Sequence, residues 1–307
     1  MERPYKIFMK MGVVALLCLL GACSDEGGVT QPNSRGVVNL RLTRNTSGPE
    51  NEYEHVNTLR IIIADHQSNT IYYNNLYEDI KQDEPTWTET FHDLPATPSG
   101  TPYDFYAIAN EGSFLSEGES LEGKTANILS LINSYTLKKP EFSLEEYIPQ
   151  TAKCTEKVSS ANDEENAVTL SLQYAVGKVN LTFVNASGEE QSVSDIRISG
   201  IKGVSAPLFA PETVAAAGEA LSFEDVTVPM DGSSVQTAYV YETASSDGYT
   251  LTATYKDETK ELPLGNLTEI PRGMQVNITV TLQSEADVSL VYVLQPWEQG
   301  GGEHTFN

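Results

Sequence analysis

Residues 168–184 read VTLSLQYAVGKVNLTFV. Val168, Leu170, Leu172, Tyr174 and Val176 alternate with Thr169, Ser171, Gln173 and Ala175. Successive side chains of a strand point to opposite faces, so an apolar residue at every second position marks a strand with one buried face. The apolar phase then changes from even to odd between Val176 and Val179, with Gly177-Lys178 at the change. A slip of one residue turns every later side chain to the other face, so the pattern predicts a bulge or bend there.

The same period runs outward in both directions. Val38, Leu40 and Leu42 alternate with Asn39, Arg41 and Thr43, and Tyr103, Phe105 and Ala107 with Asp104, Tyr106 and Ile108. Further along, Tyr249, Leu251, Ala253 and Tyr255 are separated by three threonines, and Val276, Ile278, Val280 and Leu282 by Asn277, Thr279 and Thr281. Many such segments, rich in Val, Thr and Tyr, predict an all-β chain of antiparallel β-sandwiches. One segment, Thr125–Tyr135 (TANILSLINSY), sets Ile128, Leu129, Ile132 and Tyr135 on one helical face, which predicts a short helix decorating a loop. The 307 residues fit one large domain or two of roughly 150 residues each. The polar, acidic stretch 155–167 (TEKVSSANDEENA) is the natural boundary. It gives an N-terminal sandwich over 37–166, a C-terminal sandwich over 167–287 and a separate tail over 288–307.

Charge excludes two partner classes. With 19 basic and 43 acidic side chains the formal net charge is -24. Nucleic acid phosphates call for Lys and Arg, and so does an anionic membrane surface bound by charge. The N-terminus reads as an address. Arg3, Lys6 and Lys10 precede the apolar run Met11–Leu20, and the small residues Gly21 and Ala22 follow, as in a secretory signal over 1–22. The junction Leu20-Gly21-Ala22-Cys23 resembles the lipobox of bacterial lipoproteins. The resemblance implies cleavage between Ala22 and Cys23 and acylation of Cys23, anchoring the chain to a membrane by lipid. Ser24-Asp25-Glu26 resembles the export tag of surface lipoproteins in Bacteroidetes, which implies a surface-exposed outer-membrane location. Residues 23–36 read as a tether. Cys18 leaves with the signal and Cys23 takes lipid, so Cys154 remains alone and no internal disulfide forms.

The chain carries no H-E-x-x-H, G-x-S-x-G, Walker or dinucleotide-binding motif and no EF-hand loop. His55, His66, His92 and His304 are dispersed. His55 and His66 read as surface-turn residues, and Cys154 as an idle thiol in a loop. Acidic pairs such as Glu145-Glu146 read as solvated faces rather than a glycosidase dyad. Trp87 reads as core packing in preference to a sugar-stacking platform. No enzyme activity, cofactor or metal is assigned.

Several segments together resemble the fimbrillins of Bacteroidetes, the subunits of type V pili. These are NTLRIIIADHQSNTIYYN (57–74), LPATPSGTPYDFYAIANE (94–111), VTLSLQYAVGKVNLTFV (168–184) as the strand pair opening the second domain, AYVYET through IPRGMQVNITVTL (238–282), and VYVLQPWE near the end. The resemblance implies two transthyretin-like sandwiches in tandem and a surface fimbria that supports adhesion. It also implies maturation by an Arg-specific protease that removes the first strand, and assembly by donor-strand β-augmentation between subunits. Carried onto this chain, the first strand is Val37–Thr43 and the cut falls between Arg44 and Asn45, in the polar loop Asn45–Glu54. The donor is drawn from Val288, Leu290, Tyr292 and Leu294, or from the tail around Trp297 to Phe306. The partners are other fimbrial subunits and host or bacterial surface ligands. Two other readings remain at this stage: an anchor or tip subunit of the same fimbria, and a surface glycan-binding lipoprotein.

Overall fold

Strands form where β-branched and aromatic residues alternate with Thr, Asn and Ser, and turns fall at Gly, Asn and Asp. In the computed structural model, residues 34–43, 54–78, 80–81, 86–137, 147–161, 166–209 and 218–297 are described. The first part of the chain holds β1 (Arg35–Thr43), β2 (Leu59–Asp65), β3 (Ile71–Tyr77), β4 (Thr86–Pro95), β5 (Thr101–Ala109), α1 (Ala126–Ser134), β6 (Thr136–Leu137), β7 (Gln150–Val158), β8 (Asn166–Ser171) and β9 (Gln173–Tyr174). The second part holds β10 (Gly177–Asn185), β11 (Gln191–Lys202), β12 (Ala206–Pro207), β13 (Glu219–Ser222), β14 (Val226–Val228) and β15 (Ser233–Val240). It continues with β16 (Thr243–Ala244), β17 (Thr250–Tyr255), β18 (Glu258–Pro263), β19 (Glu269–Ile270), β20 (Met274–Leu282) and β21 (Val288–Pro296).

These strands build two β-sandwiches in tandem. In the first, the sheet β4-β1-β8 faces β3-β2-β5-β7-β9 across a core that includes Val38, Leu40, Leu42, Leu59, Phe91, Phe105 and Leu170. In the second, β15-β10-β20-β21 faces β13-β11-β17-β18 across Val179, Leu181, Phe183, Leu251, Val276 and Ile278. Most pairs are antiparallel, but β1 runs parallel to β8 and β10 parallel to β20. Those two pairs join strands far apart in sequence, where no hairpin dictates an antiparallel return.

The structure corrects three expectations. The strand at Val168–Leu172 does not open the second sandwich. It is β8, paired with β1, and Val168, Leu170 and Leu172 lie in the first core. The chain crosses after it: β9 still pairs with β7, Ala175-Val176 bends, and β10 starts at Gly177. The phase change at Gly177-Lys178 is therefore the crossing between sandwiches. A Cβ on Gly177 would lie 2.6 Å from Ile270 Cγ2, so the crossing tolerates no side chain there. Second, Val288–Pro296 is no separate tail; it forms a hairpin with β20, from Leu282↔Val288 to Met274↔Pro296. Third, Cys154 sits in the middle of β7, opposite Phe105, and not in a loop. Its neighbours Lys153, Thr155, Glu156 and Lys157 are all polar, and this hid the strand.

β2 and β5 are buried on both faces. Ile61, Ile63, Phe105 and Ala107 face the first core, while Ile62, Ala64, Tyr106 and Ile108 face a further cluster on the outside of that sheet. The helix α1 covers this outer face with Ile128, Leu129 and Ile132, so it is a lid on the sheet and not only a loop ornament. The same cluster takes in Ala206, Leu208, Tyr239, Tyr241 and Trp297 from the second part of the chain. Hydrophobic packing is thus continuous across the junction.

Candidate functional site

β1 is the structural centre of the site. It lies between β4, antiparallel from Arg35↔Pro95 to Thr43↔Thr86, and β8, parallel from Val38↔Asn166 to Thr43↔Ser171. Val38, Leu40 and Leu42 are fully buried. Gly36 continues their row, and a Cβ there would lie 2.4 Å from Val158 Cγ1. Polar contacts hold both ends. Ser34 Oγ donates to Ala96 O (2.7 Å), Asn166 Nδ2 to Val37 O (3.0 Å) and Thr43 Oγ1 to Leu170 O (3.2 Å). Burying one aliphatic side chain is worth about 1.5–3 kcal/mol, so this row contributes about as much as the whole marginal stability of a domain. A chain without β1 would expose an apolar slot with an unpaired strand on each side.

Arg44 and Asn45, like Ala22 and Cys23, lie outside the described residues. The described chain resumes at Glu54, which sequence reasoning placed at the end of a polar loop. Glu54 is instead 3% exposed and gathers four elements. Its Oε1 accepts from Lys178 Nζ (2.8 Å) at the start of β10 and from Tyr239 OH (2.9 Å) in β15. Its Oε2 accepts from Trp297 Nε1 (3.3 Å), and its backbone carbonyl accepts from Gln150 Nε2 (3.0 Å) and Tyr174 OH (3.2 Å). The Trp297 indole stacks on Tyr174 (3.8 Å between centroids, 20°) and on Tyr239 (5.5 Å, 15°). A buried ion pair is tolerated only when its remaining hydrogen-bonding capacity is met, and these neighbours meet it. Burial pushes the Tyr174 hydroxyl well above its ordinary value, with the Glu54 charge adding to the shift.

Of the residues expected to form a donor strand, Val288, Leu290, Tyr292 and Leu294 share one face of β21, half-buried against the second core. Val291 and Val293 point the other way, 67% and 43% exposed. β21 is the last strand of its sheet. Trp297 is not on that row; it is the indole of the junction cluster. Sequence reasoning missed Glu54, Lys178, Tyr174 and Tyr239 as a cluster because Glu54 is 124 residues from Lys178 and 243 from Trp297. The one local hint was a lysine, the only charged residue of β10, at the start of a strand whose every residue but Thr182 and Val184 is buried.

Trp87 packs edge-on to Tyr77 (4.8 Å) against the first core, as expected of a packing residue. Cys154 is half-buried, and its thiol is pushed up to about 11, first by burial and then by Glu156 and Asp104. It is therefore a protonated, weak nucleophile at neutral pH. His66 sits in the turn after β2 and its Nδ1 pairs with Asp104 Oδ1 (2.9 Å).

The chain matches no family model and no curated protein. Solved structures do match. The tip fimbrial protein Mfa3 of Porphyromonas gingivalis, solved with a C-terminal truncation, superposes with a TM-score of 0.59 at 11% identity, over 85% of this chain and 100% of that one. A fimbrial assembly protein of Parabacteroides distasonis superposes with a TM-score of 0.52 at 14% identity, over 86% of this chain and 97% of the other. This chain has the fold of Bacteroidetes fimbrial proteins. At such identities the likeness carries the arrangement of the two sandwiches, not the chemistry of particular residues.

Proposed function

We propose that this chain is a structural subunit of a cell-surface fimbria. In this reading it is exported as a lipoprotein through Cys23 and assembled after cleavage between Arg44 and Asn45. The observation that carries the reading is the position of β1. It is the central strand of its sheet, it fills the first core with Val38, Leu40 and Leu42, and the next residue after it is an arginine. Loss of such a strand leaves a slot that demands another strand, and a head-to-tail exchange of this kind does not close, so it propagates into a filament. The donor in this reading is the row Val288, Leu290, Tyr292 and Leu294, with Trp297 at its end. The partners are further fimbrial subunits, the outer membrane holds the precursor by lipid, and adhesion to host or bacterial surfaces is the filament's role.

The test is treatment of the purified precursor with an Arg-specific protease. The expected result is a new N-terminus at Asn45 and a ladder of multimers stable in mild detergent. A chain cut after Arg44 that stays monomeric would sink the assembly reading. Deletion of residues 288–307 should leave monomers after the same cut.

A further inference from the structure

The sheet β15-β10-β20-β21 turns one face away from its core. In β10, Val179, Leu181 and Phe183 enter the core, so Asn180, Thr182 and Val184 point outward. The pairing registers set these beside the outward residues of the other three strands. One row across the sheet reads Thr237-Asn180-Asn277-Val293, and the next reads Val235-Thr182-Thr279-Val291. A third row sets Val184 and Thr281 between Ser233 and Ser289. None of these side chains is charged, although the chain carries 19 basic and 43 acidic ones. The outward face of the opposing sheet has Arg197 and Glu261 in one row with Thr252, and β1 in the first sandwich has Arg41 exposed.

Two further features suit this face to contact. Its amide row is already paired within itself: Thr237 Oγ1 donates to Asn180 Oδ1 (2.9 Å), and Asn180 Nδ2 donates to Asn277 Oδ1 (2.9 Å). Covering such a row strips less water than covering free amides would. Its apolar groups stand in the open. Val235, Val291 and Val293 are exposed, and among the described residues only Val204 and Met230 are other large apolar side chains so exposed. We propose that this face binds a second copy of the chain, sheet on sheet, about a two-fold axis.

Three observations select that occupant. The first is charge. With a net charge of -24 two copies repel each other, and a face without charge lets them meet with no like charges in contact. Without Lys or Arg, the same face has nothing to pair with an acidic partner. The second is symmetry. A two-fold contact joins one patch to itself, so the patch must complement itself. The row Val235-Thr182-Thr279-Val291 reads the same from either edge of the sheet. With the axis along the strands, Val235 of one copy lies over Val291 of the other, and Thr182 over Thr279. Aligned sheets pack in this way, with the side chains of the two faces interdigitating. The third is the absence of aromatic rings from the three rows, which leaves a sugar no surface to stack on.

This proposal depends neither on cleavage after Arg44 nor on the fimbrial reading. Sedimentation equilibrium of the full, uncut chain over a wide range of concentrations tests it. Strands about 4.8 Å apart and rows about 6.8 Å apart give the face about 400 Å² per copy, against about 800 Å² in a standard interface. The expected result is therefore a weak, reversible dimer. Added salt should strengthen it, because salt screens the repulsion between copies and no ion pair holds them together. Thr279→Glu sets an unpaired charge at the centre of the contact and should weaken association at least about tenfold. Val291→Glu, at an exposed position, should do the same and serves if Thr279→Glu fails to fold. Thr252→Glu, on the opposing sheet, should leave association unchanged. A chain that stays monomeric at the highest concentration would overturn the proposal, as would a dimer that persists in Val291→Glu or weakens with salt. A dimer that forms only when residues 298–307 are removed would overturn it too, by giving the face to the chain's own end.

Discussion

At the scale of the residue, Glu54 and Trp297 hold the most concentrated chemistry in the molecule. Truncating a buried indole stacked on two rings creates a cavity, so Trp297→Ala should lose about 3–5 kcal/mol of unfolding free energy in urea titration. Glu54→Ala removes the carboxylate beside a lysine side chain that is 3% exposed, and breaking a buried pair costs about 3–5 kcal/mol. A loss under about 0.5 kcal/mol in either variant would mean that the residue behaves as surface. The buried tyrosines add a pH dependence. Burial raises the hydroxyls of Tyr174 and Tyr241 above their ordinary 10.0. Above that value the unfolded chain gives up protons that the folded chain retains. Stability should therefore be fully present below pH 10 and fall by about 1.4 kcal/mol per pH unit per tyrosine as pH rises toward the folded values. Urea midpoints measured from pH 8 to 11.5 check this, and a flat profile would contradict it. Cys154, raised to about 11 by burial and nearby carboxylates, should react with a thiol reagent at pH 8 at least several-fold more slowly than a free cysteine.

At the scale of the element, β1 and β21 differ in how firmly they are held. β1 has neighbours on both sides and a fully buried row, whereas β21 has one neighbour and a half-buried row. Leu40→Ala should cost about 2–5 kcal/mol, and Leu290→Ala distinctly less, because the site on β21 is partly solvated already. Comparable losses in thermal or urea unfolding would remove the reason to treat β21 as the more easily released strand. The period-two pattern made these strands legible: Val38–Leu42, Val168–Ser171 and Val276–Leu282 are all in strands, and Thr125–Tyr135 contains the helix α1. Pattern failed in β7, where polar residues on the exposed side hide the strand carrying Cys154. It also failed to say which sheet β8 joins, since alternation encodes a buried face but not a partner.

At the scale of the whole molecule, the two sandwiches share the cluster of Ile62, Tyr106, Leu208, Tyr241 and Trp297, and a strand pair crosses between them at Ala206↔Leu137. Arg272 strengthens the junction, reaching Glu242 Oε1 (2.5 Å) and the carbonyls of Pro207 (2.9 Å) and Leu208 (3.1 Å). Such continuous packing should make the chain unfold in one transition, and Trp297→Ala should separate it into two; calorimetry decides, and two transitions already present in the unsubstituted chain would refute the coupling. The amino-acid sequence by itself determined the all-β class, the short helix, a bend next to Gly177 and the acidic character of the chain. These follow from side-chain period, turn chemistry and charge, all of which act between near neighbours. Only the tertiary structure decided that β8 belongs with β1, that β21 is a sheet edge, and that Glu54 meets Lys178 and Trp297. Each of those joins residues more than a hundred positions apart, or sets one edge against another. Main-chain hydrogen bonding offers any strand the same row of donors and acceptors, so the choice of partner falls to the packing of the assembled cores.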